Sequence, residues 1–267
     1  MIGRAERLLT YALLGAAAAY AVFPLAVVLW LAVQPDRIGD TGLAFGNFAL
    51  AWTEGGFSTY LRTSLVVSVS VVVLATALAA LAGYAFGTMS FRGSTALFYL
   101  LLVGLMVPSE AVVVPLYFDL RALQLTDTYV ALIAPQVAQS LAFGTFWMRA
   151  YFRSTSRELV EAARLDGAGH WRVLWSILLP LGRPAVLTMV LLIFMWTWNE
   201  FLIPLVMVTD ESLRTAPLGL SNFQGQYTSG AALLAAGAVL VALPVVLVYL
   251  FTQRYFIRGM LEGAVKG

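Results

Sequence analysis

Six stretches of this chain are each long and apolar enough to cross a lipid bilayer, and that limits the folds open to it more than any other feature. A hydrocarbon core of about 30 Å is spanned by roughly 20 apolar residues of helix. The six runs are 11–33, 63–83, 95–118, 129–148, 184–208 and 230–251. No water reaches the backbone at that depth, so each run must satisfy its own N–H and C=O groups, and helix is the expected form. Composition agrees: 61% of residues are hydrophobic and 11% are charged, against about 25% charged in soluble domains. The expectation is an all-α integral membrane protein, a single transmembrane domain over 1–267. The first run lacks a small-residue cleavage site and is expected to be retained as a span.

Six spans put both termini on one side. The ends and loops of that side hold Arg4, Arg7, Arg92, Arg149, Arg153, Arg157, Arg164, Arg172, Arg183, Arg254, Arg258 and Lys266. The other side holds Arg37, Arg62, Arg121 and Arg214, together with most of the loop carboxylates, from Asp36 to Glu211. Basic residues accumulate in cytoplasmic loops, so both termini and the loop 149–183 are expected in the cytoplasm. The chain has no cysteine and one histidine, His170. Disulfides, thiolate metal sites and histidine clusters are therefore excluded, and a net charge of +2 gives no reason to expect nucleic acid.

The loop 149–183 is unusually polar for this chain. Thr155 and Glu158 have capping-box spacing, which predicts a helix from about Ser156. Gly167 and Gly169 end that helix. A second follows, with Trp171, Leu174, Trp175 and Leu178 in one apolar stripe at helical spacing. Ala162, Ala163, Gly167 and Ala168 give a surface of low bulk that another backbone can approach. The loop reads as a two-helix knob held between the fourth and fifth spans. Physics alone leaves two roles open: a knob gripped by a cytoplasmic partner, or a solvated loop with an interfacial helix.

The spacing Glu161-Ala162-Ala163, Asp166-Gly167-Ala168, Ile177-x-Leu179-Pro180 resembles the EAA loop of permease subunits of bacterial ABC importers. The stretches Trp198–Leu205, Gln253–Gly267, Met106–Pro108 and Val114–Tyr117 extend the resemblance to the smaller, maltose-type permease of carbohydrate importers. The resemblance implies a type I importer fold of six transmembrane helices with a cytoplasmic coupling loop. It implies as partners a second permease, two ATPase subunits and an extracytoplasmic binding protein, in a bacterial inner membrane. Glu161, Ala162, Ala163, Asp166, Gly167, Ala168, Leu179 and Pro180 would then couple to the ATPases. The tail through Lys266 would reach between them. The loop 210–229, with Gln224, Gln226 and Tyr227, would face the binding protein. No cofactor is expected on this chain: ATP and Mg2+ would belong to the partners, and no G-x-x-x-x-G-K-[ST] loop is present.

Charges inside a span are costly and face a cavity or a partner. Glu200 is expected either to accept hydrogen bonds from solute or to bond the partner permease. Glu110 either lines the path or sits at the outer interface. Asn199, Trp198, Trp196, Gln136, Gln139 and Tyr117 complete the candidates for the solute path, with lipid-interface anchoring as the alternative for the tryptophans. Gly83, Gly87, Gly104 and Gly144 are expected at close helix contacts. The spans carry no Arg or Lys, which favours a neutral solute. A glycerol-phosphate or polyol importer and a stand-alone secondary transporter are the alternatives. An intramembrane enzyme is not expected, since no span carries a plausible catalytic pair.

Overall fold

The computed structural model of the chain describes residues 3–35, 42–224 and 230–264, and it is helical throughout, with no strand among the described residues. In chain order the helices are α1 (Arg4–Ala32), α2 (Gly46–Glu54), α3 (Phe57–Thr88), α4 (Ser94–Met106), α5 (Ser109–Ala122) and α6 (Tyr129–Ser154). Then come α7 (Arg157–Leu165), α8 (His170–Leu181), α9 (Arg183–Trp198), α10 (Leu202–Met207), α11 (Ala216–Gly219) and α12 (Ala231–Ala264). The helices α1, α3, α6 and α12 are long and apolar enough to span a bilayer on their own. The pairs α4–α5 and α8–α9 pass the same test only as bent units, at 98° and 80°.

The third span therefore departs from a straight rod, and the fifth run is broken within its own length, each for a local reason. Pro108 has no N–H and pushes its predecessor out of helical angles. Val107 duly takes φ −81°, ψ 120°, so α4 stops at Met106 and α5 starts afresh at Ser109. The run 184–208 breaks at 199–201, where α9 has ended and α10 has not begun. There the Glu200 carboxylate oxygen Oε1 accepts from the Ile203 N–H at 3.0 Å. It does the work of a helix cap for the short α10, satisfying a donor that lacks an intrahelical partner.

The chain divides into two compact units. The first comprises residues 1–58 and 218–244. Within it, Asn47 on α2 donates to the carbonyls of Ala32 and Gln34 at 3.0 and 2.8 Å, closing the end of α1. Phe57 is fully buried and stacks on Phe223 at 5.8 Å. The second unit comprises residues 59–217 and 245–267. Its core forms around a stripe on α3, Val67, Val71, Ala75 and Ala79, all within 1% of full burial. Residues four apart share one helix face, and this face meets Leu132, Met148 and Phe152 of α6 and Met189 and Ile193 of α9.

Glycine sets how closely these helices approach. A Cβ on Gly144 would sit 2.6 Å from that of Ala79, and one on Gly83 2.6 Å from that of Met148. Gly87 is nearly as tight against Phe152, at 3.0 Å. Gly104 differs, since nothing lies within 4 Å of where its Cβ would be. Beside Gly83 and Gly87 the Arg149 guanidinium lies 3.9 Å above the Phe98 ring, and its Nε donates to the Phe86 carbonyl at 3.3 Å. These contacts join α6 to α4 and α3.

Candidate functional site

The loop between α6 and α9 forms the expected knob. Its turn is a Schellman motif closed by the backbone. The Gly167 N–H donates to Arg164 O at 3.0 Å, and the Ala168 N–H to Ala163 O at 2.9 Å. Gly167 has φ +81°, the left-handed conformation that costs glycine nothing and other residues about 1–2 kcal/mol. Glu161, Ala162 and Asp166 are exposed, while Ala163 and Ala168 are half-buried and pack against the core. Glu161 also borders a cleft of about 270 Å³ with Arg153 and Arg164, between α7 and the ends of α3 and α6.

Two details of the knob differ from expectation. The Thr155–Glu158 capping box does not form. Thr155 Oγ1 donates to the Tyr151 carbonyl at 3.2 Å, closing the preceding helix, and Ser156 makes no side-chain cap. The stripe on α8 splits. A π-helical turn at Leu174–Leu178 inserts a residue into the repeat. Leu174 and Leu178 are buried, whereas Trp171 and Trp175 are 65% and 48% exposed and pack on each other at 5.7 Å.

The knob continues into α9 through an elbow at Gly182. A Cβ there would lie 2.5 Å from the Tyr151 ring, whose hydroxyl donates to Leu178 O at 2.9 Å. Trp147 Nε1 donates to Ala185 O at 2.9 Å on the far side of the bend. Leu179 and Pro180 lie in the last turn of α8, half-buried and exposed respectively. The Leu-Gly-Arg-Pro punctuation hints at this elbow in the sequence, but Tyr151 and Trp147 are thirty residues away and carry no signal of their own.

At its other end α9 borders a cavity of about 540 Å³ lined also by α4, α5 and α6. The cavity brings together Gln136, Gln139, Trp196, Asn199 and Glu200 of the candidate path, and adds Ser109, Ser140 and Phe143. Gln136 is 4% exposed and its Nε2 donates to Leu132 O at 2.8 Å, while Asn199 Nδ2 donates to Met195 O at 2.7 Å. Trp196 meets Phe143 edge to face, 4.7 Å between centroids. Glu200 is the charged residue of the lining, which contains no Lys or Arg. Trp198 and Tyr117 do not line it: Trp198 is 2% exposed and packs on Phe194 at 5.5 Å, and Tyr117 lies against Phe118. Glu110 sits exposed in the first turn of α5, beside Ser109 but outside the lining.

At the end of the unit away from the knob, the Asp127 carboxylate clamps the segment after α10. It accepts from Thr209 N–H at 2.6 Å, Thr209 Oγ1 at 2.7 Å and Asp210 N–H at 2.9 Å. The Asp210 N–H is the main reason its pKa lies below the usual carboxylate value. Partial burial opposes this, and the two Thr209 bonds add to it. Ser64 and Thr63 at the start of α3 bond the same segment, at Ala216 N–H and Ser212 O. Of the loop residues expected to face a binding protein, Gln224 ends a short 3-10 turn, Leu220–Gln224. Gln226, Tyr227 and the tail residue Lys266 lie outside the described residues.

Residues 75–262 match the family described as the inner membrane component of binding-protein-dependent transport systems. The chain belongs to this family. It is a multi-pass membrane permease, a transport component and not an enzyme. The permease is 35% identical over 258 residues to the arabinooligosaccharides transport system permease protein AraQ of Halalkalibacterium halodurans, covering 92% of each chain. It is 30% identical over 256 residues to the trehalose transport system permease protein SugB of Mycobacterium tuberculosis, covering 93% of each. Its fold is similar to a chain in the crystal structure of a bacterial ABC transporter involved in the import of the acidic polysaccharide alginate. The TM-score is 0.78 and identity 22%, over 96% of this chain and 99% of that one.

Proposed function

We propose that the permease is one of two membrane subunits of an ATP-driven importer for a neutral sugar or oligosaccharide. The observation that carries this reading is the course of α8–α9. The segment begins in the knob, turns at Gly182 and ends at Trp196, Asn199 and Glu200 on the cavity wall. A displacement of the knob therefore has a short helical route to the cavity. In this reading two ATPase subunits bind ATP and Mg2+ and grip the knobs of the permease pair from the cytoplasm, where both termini also lie. Closure of the ATPases swings the helices between inward- and outward-facing states. Glu161 meets the ATPase, and the 210–229 loop meets the binding protein that the family name implies.

Sugar as the cargo is supported by the relatives AraQ and SugB, whose names carry arabinooligosaccharides and trehalose. The cavity chemistry fits a neutral polyol. Amide, hydroxyl and carboxylate groups exchange hydrogen bonds with sugar hydroxyls, and the Trp196–Phe143 pair offers an aromatic wall. The lining has no cation to pair an acidic solute. The reading is tested by reversing the charge at Glu161. Purified with its partners, Glu161→Lys is expected to lose most of the ATPase and of the uptake. Wild-type ATPase recovery together with wild-type uptake would remove the docking role.

A further inference from the structure

Beyond its backbone connections, the knob is fastened to α3 by a cluster of side chains centred on the chain's single histidine. Tyr84, one turn before the end of α3, is 3% exposed. Its ring packs edge-on against Phe152 of α6, at 5.8 Å and 84°, and against His170, the first residue of α8, at 6.2 Å and 72°. The Tyr84 hydroxyl lies 3.1 Å from His170 Nδ1. Arg164 Nη2, on α7, approaches the same nitrogen at 3.4 Å. A guanidinium has donors and no acceptor. For both contacts to be hydrogen bonds, Nδ1 must accept, so the imidazole proton sits on Nε2 and the tyrosine hydroxyl donates. One nitrogen then joins α3, α7 and α8.

We propose that Tyr84 and His170 form a latch that fixes the angle of the knob to α3, so that knob and membrane helices move as one body. The fold of the knob does not require this contact, because the Schellman bonds at Gly167 and Ala168 already close its turn. The latch sets where the closed knob points. Without it, the knob is held by its chain connections near Ser156 and Gly182, by the Tyr151 bond to Leu178 O at the elbow and by apolar packing, and its α7 end can tilt under load instead of passing the load on. The bond is part-buried, with Tyr84 in the core and His170 exposed, and opening the latch takes the acceptor from the tyrosine hydroxyl, which favours the latched state. Tyr84 and His170 are positioning residues in this scheme. Arg164 adds a longer contact to the same nitrogen from α7.

The latch rests on the coupling reading above, and its test separates the two. The complete transporter is reconstituted with its partner permease, ATPases and binding protein, and ATP hydrolysed per solute imported is measured. Tyr84→Phe removes the hydroxyl and keeps the ring packing. His170→Ala removes the acceptor, and His170→Asn restores one near the position of Nδ1. Tyr84→Phe and His170→Ala are expected to retain the ATPases and to raise ATP spent per solute by roughly two- to tenfold. The double variant should be no worse than either single one, and His170→Asn should recover most of the coupling. Unchanged ratios in both single variants, or effects that add in the double variant, would overturn the latch. Glu161→Lys, measured alongside, decides the underlying reading. If it impairs uptake while the latch variants do not, the latch alone fails. If it retains both ATPase and uptake, the coupling reading fails and takes the latch with it.

Discussion

Gly167 offers the sharpest test of the knob, because two costs of substitution separate there. Its φ of +81° is unfavourable for any side chain, yet a Cβ would meet nothing within 4 Å. Within this chain, therefore, bulk meets no obstacle and only the backbone conformation is unfavourable. For Ala the left-handed conformation costs about 1–2 kcal/mol. At 1.4 kcal/mol per factor of ten, that lowers the ratio of native to opened turn about 5- to 30-fold. Asn tolerates this region best among the non-glycine residues and should cost less, whereas β-branched Val should cost more. Leu, despite its size, should resemble Ala. The assay is uptake by the reconstituted transporter, with membrane insertion followed separately. The predicted order of activity is Gly, Asn, Ala near Leu, then Val, with insertion unchanged throughout. An order that follows side-chain volume, with Leu far below Ala, would refute the conformational argument and point to a steric contact instead.

Four further outcomes follow from contacts in the helical unit. Gly144→Val should destabilise the protein by about 1–3 kcal/mol through overpacking against Ala79, whereas Gly104→Ala should leave the melting temperature in detergent near wild type. Glu200→Gln keeps an oxygen to cap Ile203 N–H, so it should preserve stability, while Glu200→Ala should cost about 0.5–2 kcal/mol; equal melting of the two would remove the cap. The folded-state pKa of Asp127 is depressed, so its clamp stabilises above the ordinary carboxylate pKa of about 3.9 and the contribution is lost as pH falls through the lowered value. Asp127→Asn should thus increase protease cleavage near Thr209 at neutral pH, and the difference from wild type should shrink under strong acid. Gly182→Ala should displace the Tyr151 ring, break its bond to Leu178 O and reduce uptake more than stability, read as a larger fall in transport than in melting temperature.

What could be read from the sequence, and what could not, divides along physical lines. The spans were legible because apolar length is a one-dimensional property. The Gly167 turn was legible because glycine is the residue that takes positive φ without strain. The break at Pro108 is legible in the sequence, because proline lacks the N–H that would continue a helix, whereas its angle of 98° is not recorded in hydropathy. The Thr155–Glu158 spacing misled because Thr155 had a competing acceptor in the helix before it. The Trp171–Leu178 stripe misled because a π-turn rephased the helix. The cavity draws on residues 104–109, 136–143 and 192–200. Its polar members looked plausible one by one, but only packing could separate Trp196, on the wall, from Trp198, two residues on and turned into the core. Tyr84 and His170 are separated by 86 positions, and no local pattern joins them.

The central claim is that this chain is driven through its knob by partner ATPases and does not transport alone. Its most direct test is solute accumulation in liposomes containing either the purified permease alone or the full assembly with partner permease, ATPases, binding protein and ATP. Accumulation against a gradient should appear only in the full assembly and should vanish when ATP is withheld. Accumulation by the permease alone without ATP would contradict the account.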